Sequence, residues 1–102
     1  MKRTMVRYKV KADRAAENER YIAQVFEQLK GERPAGIRYA TFKLDDGVSF
    51  VHIVSYDKTD THNPLTELSA FKAFAAGVKE RCEEPPVVVE LHEIGSYRFF
   101  GE

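Results

Sequence analysis

The chain has 102 residues, 43% of them hydrophobic, and its 16 basic and 16 acidic side chains cancel to zero formal charge at pH 7. That length suits one domain, 1–102, whose small core gains from a partner covering a second apolar surface. The charge balance gives no general attraction to nucleic acid or to an anionic membrane. A single cysteine, Cys82, leaves no internal disulfide and no thiolate zinc site, and fits a reducing compartment. Arg7, Lys9 and Lys11 interrupt the apolar stretch a signal peptide needs, and no run reaches membrane-spanning length, so a soluble cytoplasmic protein is expected.

Over residues 4–11, Val6, Tyr8 and Val10 alternate with Arg7, Lys9 and Lys11, which predicts a strand with one apolar and one cationic face. Asp13 is placed to cap a helix whose Ala15, Ile22, Val25, Phe26 and Leu29 share one side and which stops at Gly31. Strands over 37–44 and 48–56 follow, joined by Asp45-Asp46-Gly47, with glycine where a left-handed residue is needed. If Leu44 faces Val48, then Phe42 lies opposite Phe50 and Ala40 opposite His52, while Thr41 meets Val51 and Tyr39 meets Ile53. Both faces of this hairpin are largely apolar, so both are expected to be covered.

The polar segment 57–62 leads to Asn63-Pro64, an N-cap followed by the residue best suited to the first helical position. Leu65, Leu68, Phe71, Phe74, Ala75, Val78 and Cys82 then share a side, with Ser69 dividing a short first turn from the main helix. Gly77 inside that helix costs about 1 kcal/mol relative to alanine, tolerable where another backbone comes close. Pro85-Pro86 ends the helical region, a last strand covers 87–94, and an aromatic tail follows with Tyr97, Phe99 and Phe100. The order strand-helix-strand-strand-helix-strand predicts a ferredoxin-like α+β domain, a four-stranded antiparallel sheet with two helices on one face.

The hairpin, the segment Asn-Pro-Leu-Thr-Glu-Leu-Ser-Ala-Phe-Lys-Ala-Phe, the run Glu-Glu-Pro-Pro-Val-Val-Val-Glu-Leu and the tail Gly-Ser-Tyr-Arg-Phe-Phe carry a resemblance. In these the chain resembles, over nearly its whole length, bacterial proteins of the antibiotic biosynthesis monooxygenase-like superfamily. The resemblance implies that two sheets pair into a dimeric α+β barrel, hence a homodimer. It also implies an activity among cofactor-independent quinone-forming oxygenases and haem-degrading enzymes. The chain departs from those enzymes in having no tryptophan, where they use a pocket Trp together with Asn. Its second helix offers Phe71 and Phe74 where the haem degraders use a histidine, which disfavours haem degradation.

His52 lies mid-strand beside Ala40 in the expected register, where a neutral imidazole could act as a general base. The commoner role for such a residue is a hydrogen-bonded histidine of the core or of an interface. Tyr56, Phe71 and Phe74, with Tyr8 and Tyr39, are candidates for the wall of a pocket for a small apolar or aromatic ligand. Most large apolar residues at such spacing fill the core.

His92 is expected two strand spacings from His52, roughly 9–10 Å, too far to share a metal, and His62 falls in a loop. No metal and no other cofactor is therefore expected. Arg7 and Lys9 are expected to neighbour Glu90 and His92 on a polar sheet face. RNA binding fails on its own signature: Asp46-Gly47-Val48-Ser49-Phe50-Val51 supplies a glycine and one aromatic, lacks the basic residue, and Arg7 stands where a stacking aromatic belongs. What the resemblance implies is a dimeric α+β barrel protein that, if catalytic, is a cofactor-independent monooxygenase acting on a small aromatic or polyketide-like compound; the alternative is a non-catalytic ligand-binding or structural homodimer.

Overall fold

The computed structural model describes residues 2–57 and 63–99. Strand β1 (Lys2–Val10) leads through a 3-10 turn at Ala12–Arg14 into helix α1 (Ala15–Glu32). Strands β2 (Ile37–Lys43) and β3 (Ser49–Tyr56) form the hairpin, a single-turn α2 (Pro64–Glu67) precedes α3 (Ser69–Arg81), and β4 (Cys82–Leu91) follows. The strands are antiparallel in the order β2-β3-β1-β4, the ferredoxin-like arrangement expected.

Strand alternation sends Tyr8 and Val10 of β1 and Phe50 and Val54 of β3 to one face, where they pack with Val25 of α1, Leu65 of α2, and Phe74 and Val78 of α3. Each such side chain contributes about 1.5–3 kcal/mol when fully buried. The cationic side of β1 is therefore the side away from the helices. There Met5 lies between Ile53 and Val89, and Arg7 between Val51 and Val87. On that face Phe42, Val87 and Val89 remain 48%, 58% and 42% exposed.

The helix boundaries depart from expectation in instructive ways. Asp13 lies in the 3-10 turn and caps nothing; the N-cap position of α1 is Arg14, which makes no side-chain cap and bonds Glu17 at 2.6 Å instead. Helix α1 runs past Gly31 to Glu32 because Arg33 takes up a left-handed conformation (φ 49) and donates its N–H to the Leu29 carbonyl at 2.8 Å. Asn63 caps α2 as expected, its Oδ1 accepting from the Leu65 N–H at 3.0 Å with Pro64 in the first turn. The chain breaks at Leu68 (ψ 134), and α3 has no cap of its own. Gln28 of α1 serves it instead, accepting the Ala70 N–H at 2.8 Å.

The last strand is corrected at both ends. It starts at Cys82, takes in Pro85 and Pro86, and stops at Leu91. Prolines are tolerated because β4 is an edge strand whose pairing with β1 shifts register between Arg7 and Val10. The expected charge pairing also changes. Glu90 sits opposite Thr4 on the helix side, Arg7 sits opposite Val87, and Lys9 lies 3.9 Å from the carboxylates of both Glu83 and Glu84.

The hairpin register is one residue off the expected one. Gly47 (φ 75) donates to the Leu44 carbonyl, Leu44 donates to Ser49, and Val48 turns its own carbonyl to the Val10 N–H of β1. The Asp46 carboxylate holds this loop, accepting from the Val48 N–H (3.0 Å), the Ser49 N–H (2.8 Å) and the Ser49 hydroxyl (2.6 Å). With Val48 out of the ladder, Thr41 meets His52, Phe42 meets Val51, Ala40 meets Ile53 and Tyr39 meets Val54. A slip of one residue exchanges the two faces of a strand. Tyr39 and Thr41 thus come to the side of His52, and Ala40 and Phe42 go to the open face.

No helix among the described residues is long and apolar enough to cross a membrane. His62 and Phe100 lie outside the described residues.

Candidate functional site

The one-residue register change determines the surroundings of His52. The side chain points from the centre of β3 into the space between sheet and helices and is 5% exposed. Its Nε2 lies 2.8 Å from the Tyr8 hydroxyl, and its Nδ1 lies 2.5 Å from the Tyr39 hydroxyl and 3.1 Å from Thr41 Oγ1. Where Ala40 would have left room, a phenol and a hydroxyl stand instead.

The hydrogen bonds continue across the core. The Asn18 side-chain amide donates to the Tyr8 hydroxyl at 2.9 Å, and Arg81 Nε donates to Asn18 Oδ1 at 3.1 Å. Arg81 is 1% exposed, and its Nη2 also donates to the Phe74 carbonyl at 3.1 Å. Its guanidinium carbon lies 4.6 Å from the centre of the Tyr21 ring and 5.4 Å from that of Phe74. No salt-bridge partner for Arg81 occurs among the described residues, so amide, carbonyl and ring faces hold this buried cation.

Aromatic rings enclose the middle of the network. Tyr8 stacks on Phe50 (5.6 Å) and on His52 (5.3 Å), Phe74 lies tilted 5.4 Å from the imidazole, and Phe71 lies 6.0 Å from Phe74. On the other side Phe26 stacks at 5.0 Å on Tyr39. Of the residues singled out in the sequence, His52, Tyr8, Tyr39, Phe74 and Phe71 thus form one continuous cluster. Tyr56 faces the same side of the sheet four residues further along β3, roughly 13 Å from His52, where its hydroxyl accepts from the Asn63 amide at 2.6 Å.

Burial sets the protonation states. It pushes the His52 imidazole down from 6.5 to about 4, so the ring is neutral at pH 7. Burial raises the Tyr8 phenol well above its usual range and lifts Tyr39 to about 12. Tyr56 is raised by the same cause, with the Asn63 hydrogen bond opposing it, and Cys82 is raised by burial. The network at pH 7 is therefore a chain of neutral groups ending in one cation.

Two shallow depressions flank Phe26 at the edge between α1 and β2. One, of ≈ 230 Å³, is bordered by Tyr39, Lys30 and Arg33; the other, of ≈ 290 Å³, by Thr41, Glu19 and Lys43. A larger hollow of ≈ 450 Å³ lies on the open face of the sheet between Arg3, Ile53 and the segment 91–99. His52 borders none of these three.

Asn18 and Arg81 escaped the sequence reading, yet the signal was present. Asn18 falls three residues after Ala15 and four before Ile22, and Arg81 falls three after Val78 and seven after Phe74, so each occupies a core position of its helix. A polar residue on an apolar stripe is the mark of a buried hydrogen-bonded group.

No family model matches the sequence, and none of the curated proteins matches it. Among solved structures, a provisionally assigned antibiotic biosynthesis monooxygenase from Nitrosomonas europaea is similar at a TM-score of 0.77 and 22% identity, covering 93% of this chain and 100% of that one. Another protein of the same provisional assignment, from Caulobacter crescentus, gives 0.71 and 22% over 92% and 90% of the two chains. One from Bordetella bronchiseptica gives 0.65 and 20% over 91% and 96%. Over nine-tenths of its length, then, this chain has the fold of the structures described as antibiotic biosynthesis monooxygenases.

Proposed function

We propose that the chain is a cofactor-independent monooxygenase for a small aromatic or polyketide-like compound, working as a cytoplasmic homodimer. The observation that carries this is a neutral imidazole held between two phenols and walled by Phe74 and Phe71. His52 borders none of the depressions described, so an aromatic substrate would have to part Phe71 and Phe74 from the sheet, with Tyr56 at the far end of the opened space, to present an acidic C–H or O–H from which His52 would take up the proton. The resulting carbanion reacts with dioxygen: a ring CH2 becomes C=O, one oxygen atom enters the product and the other leaves as water. All four electrons come from the substrate, so the reaction calls for neither flavin nor metal. The fold shared with the described monooxygenases supports this reading.

The homodimer rests on the open face of the sheet, where Phe42, Val87 and Val89 stand exposed beside Met5, Val51 and Ile53. A second copy covering that face would close the two sheets on each other.

One observation favours the alternative of a non-catalytic ligand-binding or structural homodimer: both ring nitrogens of His52 already have partners. An oxygen-electrode screen against polyphenols and quinols separates the two. Substrate-dependent oxygen uptake that is lost in His52→Ala is the expected result. Uniformly null traces refute the catalytic reading, and uptake unchanged in His52→Ala refutes His52 as its base.

A further inference from the structure

We propose that Arg81, acting through Asn18, sets the direction of every hydrogen bond in the buried network and thereby fixes His52 as the Nδ1–H tautomer, with Nε2 as its basic atom. The argument starts from what each group can do. A guanidinium only donates. Arg81 Nε at 3.1 Å therefore requires the oxygen of the Asn18 amide, and the Asn18 nitrogen must then face Tyr8 and donate to its oxygen at 2.9 Å.

Tyr8 has one proton left to give, and His52 Nε2 at 2.8 Å is the acceptor within reach. The imidazole is neutral, so with Nε2 accepting, the ring proton sits on Nδ1 and is shared between the oxygens of Tyr39 and Thr41. The reverse arrangement would have the Tyr8 oxygen accept from both Asn18 and His52 and leave its own phenolic hydrogen without an acceptor in a site 3% exposed.

Arg81 and Asn18 are positioning residues in this scheme. The inference rests on the monooxygenase reading only for its functional consequence. With Nδ1 already protonated, Tyr39 cannot hand a proton to the ring. The route into His52 runs through Tyr8, which passes its own proton to Nε2 as it receives one from the substrate on its oxygen. The imidazolium so formed keeps its Nδ1–H bond to Tyr39 and Thr41.

Long-range proton–nitrogen NMR correlation of the uniformly labelled full chain reads the tautomer directly. The wild type is expected to show the Nδ1–H pattern at pH 7. Asn18→Asp keeps the size of the side chain but offers only acceptors, to Arg81 on one side and to Tyr8 on the other. Tyr8 then donates to the new carboxylate, and His52 is expected to switch to the Nε2–H form. A wild type with the Nε2–H pattern overturns the proposal without any variant, and so does a folded Asn18→Asp that keeps the Nδ1–H pattern. Because the tautomer is read without turnover, it stands or falls apart from the oxygenase assignment. If the oxygen screen yields a substrate, Tyr8→Phe is expected to lower kcat at least a hundredfold and Tyr39→Phe less than tenfold; equal losses overturn the route through Tyr8.

Discussion

Acid should destabilise this protein through one imidazole before its carboxylates are protonated. Above pH 6.5 His52 is neutral in both the folded and the unfolded chain, and it contributes no pH dependence. As the pH falls below 6.5 the unfolded chain takes up a proton, which the folded chain refuses until about pH 4 because burial excludes the charged ring. Stability is therefore lost across that window. At about 1.4 kcal/mol per pH unit the whole gap is worth on the order of 3 kcal/mol, and roughly 2 kcal/mol of it is gone by pH 4.5. His52 is 5% exposed, so solvent screening removes little of this. In urea titrations at pH 7.0 and 4.5, that loss should lower the midpoint by roughly 1 M. His52→Gln removes the titrating group and should flatten the dependence between pH 6.5 and 4.5, leaving the carboxylate contribution at lower pH. A wild-type midpoint constant from pH 7 to 4.5, or a His52→Gln protein that loses as much as the wild type, would refute the assignment of that window to a buried neutral His52.

Gly77→Ala should destabilise the protein by about 1–2 kcal/mol, although alanine is the better helix former by about 1 kcal/mol. A Cβ there would lie 2.8 Å from Arg81 Nη1, and the guanidinium cannot swing away without breaking its bonds to Asn18 and the Phe74 carbonyl. A urea midpoint higher than that of wild type would show that Arg81 is not pinned. Phe42→Glu combined with Val89→Glu places two charges on the open sheet face and should raise the dimer dissociation constant at least a hundredfold. That follows from about 1.5–3 kcal/mol for each buried apolar side chain. Sedimentation equilibrium should give twice the 11.7 kDa chain mass for the wild type and the chain mass for the variant; a wild-type monomer removes the interface.

The periodicities of the sequence carried the strand order, both helices and the face that β1 buries, because a period of two or of 3.6 records burial directly. They did not carry the hairpin register. Asp46 diverts Val48 from the ladder through three side-chain hydrogen bonds, and nothing in the alternation of 37–44 marks that. The site suffered accordingly. His52 was legible as a mid-strand histidine, but its partners Tyr39 and Thr41 come to it only after the slip, and Asn18 and Arg81 reach it only through the packing of two helices. Pro85 and Pro86 misled for another reason: they end helices and central strands, but not an edge strand with a shifted register.

The cap that Gln28 provides across 42 residues of chain ties the start of one helix to the docking of another. Asn63 can organise its own turn from neighbours in sequence, so α2 needs nothing distant to begin. The first turn of α3 has no such local cap, and the Ala70 N–H finds a protein acceptor only where α1 is docked against it. The helix that brings Phe71, Phe74 and Arg81 to His52 thus gains its capping bond only through a contact of high sequence separation, one that closes a long loop. The buried network draws Tyr8, Asn18, Tyr39 and His52 from the first part of the chain and Arg81 from the second, so a change that loosens the seat of α3 on α1 loosens the network as well.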